Sequence, residues 1–460
     1  MKSIIWITID SLRADHTSVH GYDRDTTPNL ARIGEEGAVF EECIAHSVAT
    51  AASTASIVTG TYPSRHQVAM GEAVGEIPEE LSTAAELFSA AGYHTGCVTT
   101  NPRVSLVGAD AGFDEFYDVS RSTLLQLSNL TTTVRFLTNL RSHSVGATTD
   151  SLAHSFSLIL NDLARQWVES VPDDEPFFLY LHYNEPHRPY YPPLAWQDRF
   201  VDEIDASTTE AVEIAIDLHE NATQYIADGL PLSDYEWEAV KAMYDAEIAY
   251  TDEMIGRLLE MIPSTADESA VVVTADHGEL LGEQGLYGHL HTVIDPLIHI
   301  PAVASGIPGV SGRQSDIVQH ADLMKTLLSA AGAETDQFDA AVNVASETRE
   351  FAVSQERVVD YKAYTDRNPS FEVTGRPIGA INGLRTQNFK LVSHGSGSTL
   401  YRLPDEKHDI SDEEHEQVER LRDALSEWRT RAGKPLTEPA TEDDYDEATL
   451  ERLADLGYRE

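Results

Sequence analysis

Two stretches decide the fold: Ile4-Ile5-Trp6-Ile7-Thr8-Ile9-Asp10 near the start, and Val271-Val272-Val273-Thr274-Ala275-Asp276-His277-Gly278-Glu279 far downstream. Each is a β-branched or aromatic run without polar alternation, the pattern of a strand buried on both faces, and each breaks off at an aspartate. After the first, Pro28 opens and Gly37 closes a helical stretch. Residues 95–99 and 177–182 are further runs of strand length. Helical spacing occupies 152–168 and 237–261, where Val240, Met243, Tyr244, Ile248, Thr251 and Ile255 fall on one stripe. Alternating strands and helices predict an α/β fold, a mixed and mostly parallel sheet flanked by helices. Reacting groups then belong just past the carboxyl ends of the strands.

Beyond about 340 the texture changes. Residues 372–403 show short extended runs broken by Gly375, Gly379, Gly383 and Gly395-Ser396-Gly397, which predicts a small antiparallel sheet. An acidic helix follows at 412–431, and a short terminal helix at 447–456. The expected division is 1–340 as the catalytic α/β domain, 341–432 as a C-terminal α+β subdomain, and 433–460 as an acidic tail.

The 460 residues carry 32 Lys+Arg against 77 Asp+Glu, a net charge of −45. No basic run exists, so nucleic acid and anionic membrane surfaces are excluded as partners. Only 7 of the basic residues are Lys and 25 are Arg, and the acid is spread along the whole chain. That pattern reads as a solvent-adaptation surface suited to a salt-rich cytoplasm. The first apolar run is cut by Asp10 and followed by Arg13 and Asp15, unlike a signal peptide. No apolar stretch reaches the roughly 18 residues of a membrane span, so a cytoplasmic protein without membrane insertion is expected. Cys43 and Cys97 form no disulfide framework. Oligomeric state leaves no mark on the sequence.

Asp10, Asp276 and His277 all end buried strands. Two carboxylates and an imidazole there suit a divalent metal, whereas helix capping accounts for an aspartate but not for the adjacent His277 and Gly278. Residues 50–60 place small hydroxylated side chains before a helical start. Thr50 is either an N-cap or a nucleophile whose alkoxide is favoured by a cation and the helix N-terminus.

Further motifs occur in order: Asp10-Ser-Leu-Arg-Ala-Asp15, Gly21-Tyr22, Thr26-Thr-Pro-Asn-Leu30, Thr59-Gly60-Thr-Tyr-Pro-Ser-Arg-His66, Asp276-His-Gly-Glu279 and Gly288-His289. Arg385-Thr386, Lys390-Leu391, Leu400-Tyr401 and Leu456-Gly457-Tyr458 close the set. Along essentially its whole length the sequence resembles the sulfatase family of the alkaline phosphatase superfamily. The resemblance implies an alkaline-phosphatase-like fold and metal ligands at Asp10, Asp276 and His277, with the nucleophile completing the shell. Counting back from Gly60 along the family's nucleophile box puts that nucleophile, and fourth ligand, at Thr50.

The departures from the family pattern carry information. Ser11 replaces the second aspartate of the usual pair, while Ala52 and Thr54 replace the box's Pro and Arg. The family's Gly-Lys-x-His segment falls about 99–102, without its Lys or His. True sulfatases convert Cys or Ser to formylglycine; threonine cannot be oxidised to that aldehyde, so none is expected. Cys43, Ser47 and Ser53 lack the modification context. A threonine alkoxide still attacks phosphorus, so phosphate, phosphodiester or phosphonate esters are expected ahead of sulfate esters. His187, in a loop resembling the family's His-x-Pro-His-x-Pro, and His289, where sulfatases often carry Lys, are expected to serve the leaving oxygen; His291 is a weaker candidate. Arg13 is open to pairing with Asp15 or with substrate.

The expected enzyme is therefore a sulfatase-family ester hydrolase using Thr50, His187 and His289. It needs one divalent cation, Ca²⁺ or Mg²⁺/Mn²⁺ ahead of Zn²⁺, and takes an anionic ester, such as a sugar or lipid headgroup derivative. Two alternatives stand beside it: transfer of the phospho group to an alcohol, and an inactive binding module that keeps the fold.

Overall fold

A computed structural model describes residues 1–439 apart from 2, 71–72, 121–122, 124–126, 128–129, 146–153 and 263–268. The strands of the main sheet are β1 (Ser3–Ile9), β2 (Ala38–Ile44), β3 (His94–Thr99), β4 (Glu115–Asp118), β5 (Phe177–Tyr183) and β6 (Ser269–Ala275). After a small ladder of β7 (Leu280–Leu281) with β8 (Tyr287–Gly288), β9 (His299–Ser305) and β10 (Gly312–Gln319) complete it. The order across the sheet is β10-β2-β9-β6-β1-β5-β3-β4. Every neighbouring pair is parallel except the two made by β9. The expected mixed, mostly parallel sheet is present.

Its centre is β1, with all seven residues buried. Helices cover both faces, as a parallel sheet requires. Gly96 in β3 shows how close they come: a Cβ there would lie 2.3 Å from the Trp167 ring on the helix Ser157–Ser170. That helix begins later than the spacing at 152–168 suggests. A bridge between Ser144 and His154 holds the preceding chain extended, and residues 152–153 lie outside the described residues. The helix Asp234–Met261 is opened by a reciprocal cap between Ser233 and Glu236, and all six stripe residues named above are buried.

A second sheet, entirely antiparallel, pairs β11 (Ala352–Val359), β12 (Gly379–Arg385), β13 (Phe389–His394) and β14 (Gly397–Arg402) in that order. β11 lies before the stretch the glycines mark. The helix His415–Arg431 packs Val418, Leu421, Leu425 and Trp428 onto this sheet and Tyr62. A buried ion cluster ties the two sheets together: fully buried Lys390 meets Asp295, and Glu406 at 2.5 Å. Arg385 bonds Asp295 at 3.0 Å and Glu42 at 2.6 Å. The helix expected at 447–456 lies outside the described residues.

Candidate active site and metal centre

Strand register brings the two aspartates together. Ile9 pairs with Ala275 on one side and Tyr183 on the other, so Asp10 and Asp276 leave adjacent strands at the same level. Backbone amides then hold one oxygen of Asp276: Oδ1 accepts from Ser11 N at 3.1 Å and His277 N at 2.8 Å. Ser11, held at φ +60, turns its hydroxyl onto Asp10 Oδ1 at 2.8 Å. Where the family carries a second carboxylate, this chain has a donor to the first. Gly278 is required next: a Cβ would lie 2.0 Å from Pro296 O.

The helix Thr50–Thr59, buried along its whole length, aims its first turn at these carboxylates. Ala49 is the N-cap and Thr50 the first helical residue, which corrects the capping alternative. The Thr50 hydroxyl is not spent on the backbone; it lies 3.4 Å from Asp10 Oδ2 and 3.2 Å from His277 Nε2. His277 Nδ1 donates to Gly278 O at 2.8 Å, which fixes the tautomer and turns the Nε2 lone pair inward. That nitrogen is 3.7 Å from Asp10 Oδ1 and 3.6 Å from Asp276 Oδ2.

Two participants escaped the sequence. His182, inside an apolar strand run, puts a ligand atom within 4.8 Å of those of Asp10 and Asp276. Asn101 donates to Asp10 Oδ2 from the segment where the family's Lys and His are missing. His182 could have been found from its place near the end of a buried strand; Asn101 carries no charge to mark it.

Electrostatics say what this cluster lacks. Burial, then the neighbouring Asp276, pushes the Asp10 carboxyl well above its usual range. Burial pushes Asp276 up to about 7 and His182 down to about 3. Asp276 Oδ2 and His182 Nε2, buried and 3.9 Å apart, have no hydrogen-bond partner. Buried polar atoms are rarely left so. Two carboxylates and two inward imidazoles fit a divalent cation, which would reverse the two carboxylate shifts by supplying the opposite charge and would keep the imidazoles neutral as ligands.

A second group of side chains borders the first. The His289 ring lies 4.6 Å from that of His277 and 5.1 Å from that of His187. His289 Nδ1 bonds Glu279 Oε1 at 3.0 Å. His187 Nδ1 donates to Arg188 O at 2.8 Å, leaving Nε2 buried and unpartnered. Burial holds both imidazoles well below their ordinary pKa. Arg13 grips Asp15 through two nitrogens at 2.9 and 2.8 Å and Glu283 at 2.7 Å, which resolves its two options in favour of a structural role. His291 bonds the Tyr364 hydroxyl at 2.9 Å rather than joining Thr50.

The sulfatase family profile matches residues 2–333, and the chain belongs to that family. It is a hydrolase of sulfuric or phosphoric esters. The uncharacterized sulfatase YidJ of Escherichia coli is 24% identical over 440 residues, covering 89% of this chain and 83% of its own. The N-acetylglucosamine-6-O-sulfatase of Bacteroides thetaiotaomicron is 22% identical over 476 residues, covering 88% and 81%. Among solved structures, a phosphonate monoester hydrolase of Agrobacterium radiobacter superposes with a TM-score of 0.72 at 19% identity, over 94% of this chain and 96% of its own. No described helix is long and apolar enough to cross a membrane.

Proposed function

We propose that the protein hydrolyses phosphorus esters in preference to sulfate esters, through covalent attack by Thr50. One observation carries this: the Thr50 hydroxyl stands uncapped at a buried helix start, between Asp10 and His277. No neighbouring candidate competes. Ser53 donates to Ser47 O at 3.1 Å, and Cys43 is buried in β2. Held by Asp10, Asp276, His277 and the Thr50 oxygen, a divalent cation would supply Lewis acidity and favour the alkoxide. Three oxygens and one imidazole suit Ca²⁺, Mg²⁺ or Mn²⁺ ahead of Zn²⁺, and His182 as a further ligand would shift the set toward Mn²⁺ or Zn²⁺.

Thr50 Oγ1 gives its proton to solvent and attacks phosphorus, and the bond from phosphorus to the ester oxygen breaks on the opposite side. That oxygen takes a proton from His187 or His289, which must first be protonated, under the charge of the bound anion, against their burial. Water then displaces phosphate from Thr50 in line. The helix N-terminus stabilises charge on both sides of the exchange. The phosphonate hydrolase likeness supports a phosphorus centre, and the sugar sulfatase likeness supports a sugar ester as substrate. Formylglycine has no part in this scheme.

Mass spectrometry of acid-quenched enzyme should find phosphate on the peptide bearing Thr50, with Thr50→Ser retaining part of the rate. Robust aryl sulfatase activity on unmodified protein, with none on phosphoesters, excludes the scheme. Product analysis in glycerol separates hydrolysis from transfer. We place the protein in a salt-rich cytoplasm on account of its −45 charge, which requires its thermal midpoint to rise steeply from low to molar salt.

A further inference from the structure

The strand-end cluster and the histidines beside it hold no surplus of positive charge. A divalent cation at the strand ends would balance Asp10 and Asp276 and leave nothing over. Glu279, fully buried and bonded to His289, only subtracts from that count. Burial keeps His187 and His289 uncharged before an anion arrives. Arg13 is matched by Asp15 and Glu283. With these groups alone the pocket would be neutral or negative, and an anion would gain no field by entering it.

Two guanidiniums reverse the sign. Arg188 follows His187, whose Nδ1 donates to the Arg188 carbonyl. Its side chain reaches β8: a Cβ at Gly288 would lie 3.6 Å from Arg188 Nε and 3.9 Å from both Arg188 Cζ and Glu279 Oε1. The guanidinium therefore stands beside Gly288, one residue before His289, between the two loops that carry the imidazoles. Arg103 comes from the segment after β3 and begins the helix Arg103–Leu106. Its amide donates to Asn101 Oδ1 at 2.9 Å, while Asn101 Nδ2 donates to Asp10 Oδ2. A single side chain thus separates the Arg103 backbone from a strand-end carboxylate. Burial first, then His277, Arg188 and Arg103, hold His289 below its ordinary pKa, so both guanidinium charges reach that ring. Both arginines are half-buried, where salt screens a charge less than at the open surface.

We infer that Arg103 and Arg188 bind the non-bridging oxygens of the ester's anionic group and select a doubly charged phosphate monoester over singly charged esters. A positive pocket gains with every charge its ligand carries, whereas a neutral or negative one is indifferent to it or repels it. A guanidinium also presents paired N–H donors that match two oxygens of a tetrahedral phosphate. The inference rests on the ester-hydrolase reading above and names the substrate charge which that reading leaves open.

Methylphosphonate and methanesulfonate share a tetrahedral shape, carry no ester and, in mildly alkaline buffer, differ by one charge. Calorimetry of the full chain with Mn²⁺ should show methylphosphonate binding more tightly to the unaltered protein. Arg188→Gln and Arg103→Gln should each weaken methylphosphonate about tenfold, the worth of one charge-assisted hydrogen bond, and methanesulfonate distinctly less. Arg188→Lys keeps the charge and should keep most of the ratio between the two affinities. A parallel assay compares kcat/KM for phenyl phosphate and phenyl methylphosphonate, in which a methyl group replaces one charged oxygen. The glutamine variants should shift that preference toward the singly charged ester. Indifference of the unaltered protein to the two anions overturns the inference, as do glutamine variants that leave their ratio unchanged. If Arg188→Gln does not fold, Arg103→Gln decides by the same ratio. If neither ester is hydrolysed, the reaction scheme falls, and the two anions alone then judge the arginines: a ratio that depends on them upholds the assignment, and one that does not overturns it.

Discussion

The molecule buries charge in two places and treats it oppositely. At the junction of the two sheets, Asp295 faces Lys390 and Arg385, and these cations hold its carboxyl below the usual range. At the strand ends, Asp10 and Asp276 face each other and two imidazoles that burial and hydrogen bonding keep inward, and both carboxyls are pushed up. The strand-end side chains are fully buried, while at the junction Asp295 keeps 21% and Glu42 29% of its side chain exposed. The difference is a fixed protein cation in one and none in the other among the described residues. Burying acid without a counter-charge costs several kcal/mol per ion, so the strand-end cluster makes sense as a receptor for a mobile cation and the junction as a finished structural joint.

The largest effect expected from breaking this contrast is catalytic. Thr50→Ala should lower kcat/KM by about 10³-fold or more, as removal of a covalent nucleophile does, while thermal unfolding shifts little. Lys390→Met should do the reverse. It leaves Glu406 without its cation and Asp295 with Arg385 alone, and should cost about 3–5 kcal/mol in urea unfolding, with the activity per folded molecule largely kept. Equal damage to both properties in both variants would falsify the division of labour.

Next in size is metal removal. Chelation should lower the thermal midpoint of the unaltered protein, by about 4 kcal/mol of stability if the cation had been at 1,000 times its Kd. Asp276→Asn should be insensitive to chelator and, without metal, more stable than the unaltered apoprotein. An Asp10→Ala, Asp276→Ala double variant that still binds one equivalent of Mn²⁺ would show that the cation sits elsewhere.

The pH response is smaller and separates the clusters by sign. In chelated protein the folded Asp276 pKa of about 7 exceeds the ordinary 3.8, so its contribution is present below 3.8 and is lost as pH rises through 7. Asp295, depressed in the fold, contributes above 3.8 and loses that contribution as pH falls through its folded value. Unfolding by urea across pH 4–8 should therefore show apoprotein stability falling with rising pH, and Mn²⁺ should abolish the fall. A slope unchanged by metal would detach it from the strand-end carboxylates.

Much of this contrast was visible in the sequence, but unevenly. β1, β3, β5 and β6 were legible because an apolar run without alternation has few other uses. The adjacency of Asp276, His277 and Gly278 marked the proposed metal site because capping does not need all three. Thr50 as the proposed nucleophile rests on family resemblance, since a threonine before a helix usually caps it. His182 disappeared into its own strand, where an imidazole interrupts the apolar pattern no more than a tyrosine does. The junction left no trace: Glu42, Asp295, Arg385, Lys390 and Glu406 meet only through tertiary packing, and their spacing in sequence obeys no period.

The shared level of Asp10 and Asp276 has a consequence during synthesis. Asp10 emerges from the ribosome among the first residues, yet its partner arrives only after β6 has been made and has docked against β1. Until then the nascent chain carries one unpaired acid and a helix whose threonine has nothing to act on. A fragment ending before Asp276 lacks one of the two carboxylates proposed to hold the cation. The proposed cation site is therefore incomplete until β6 lies beside β1.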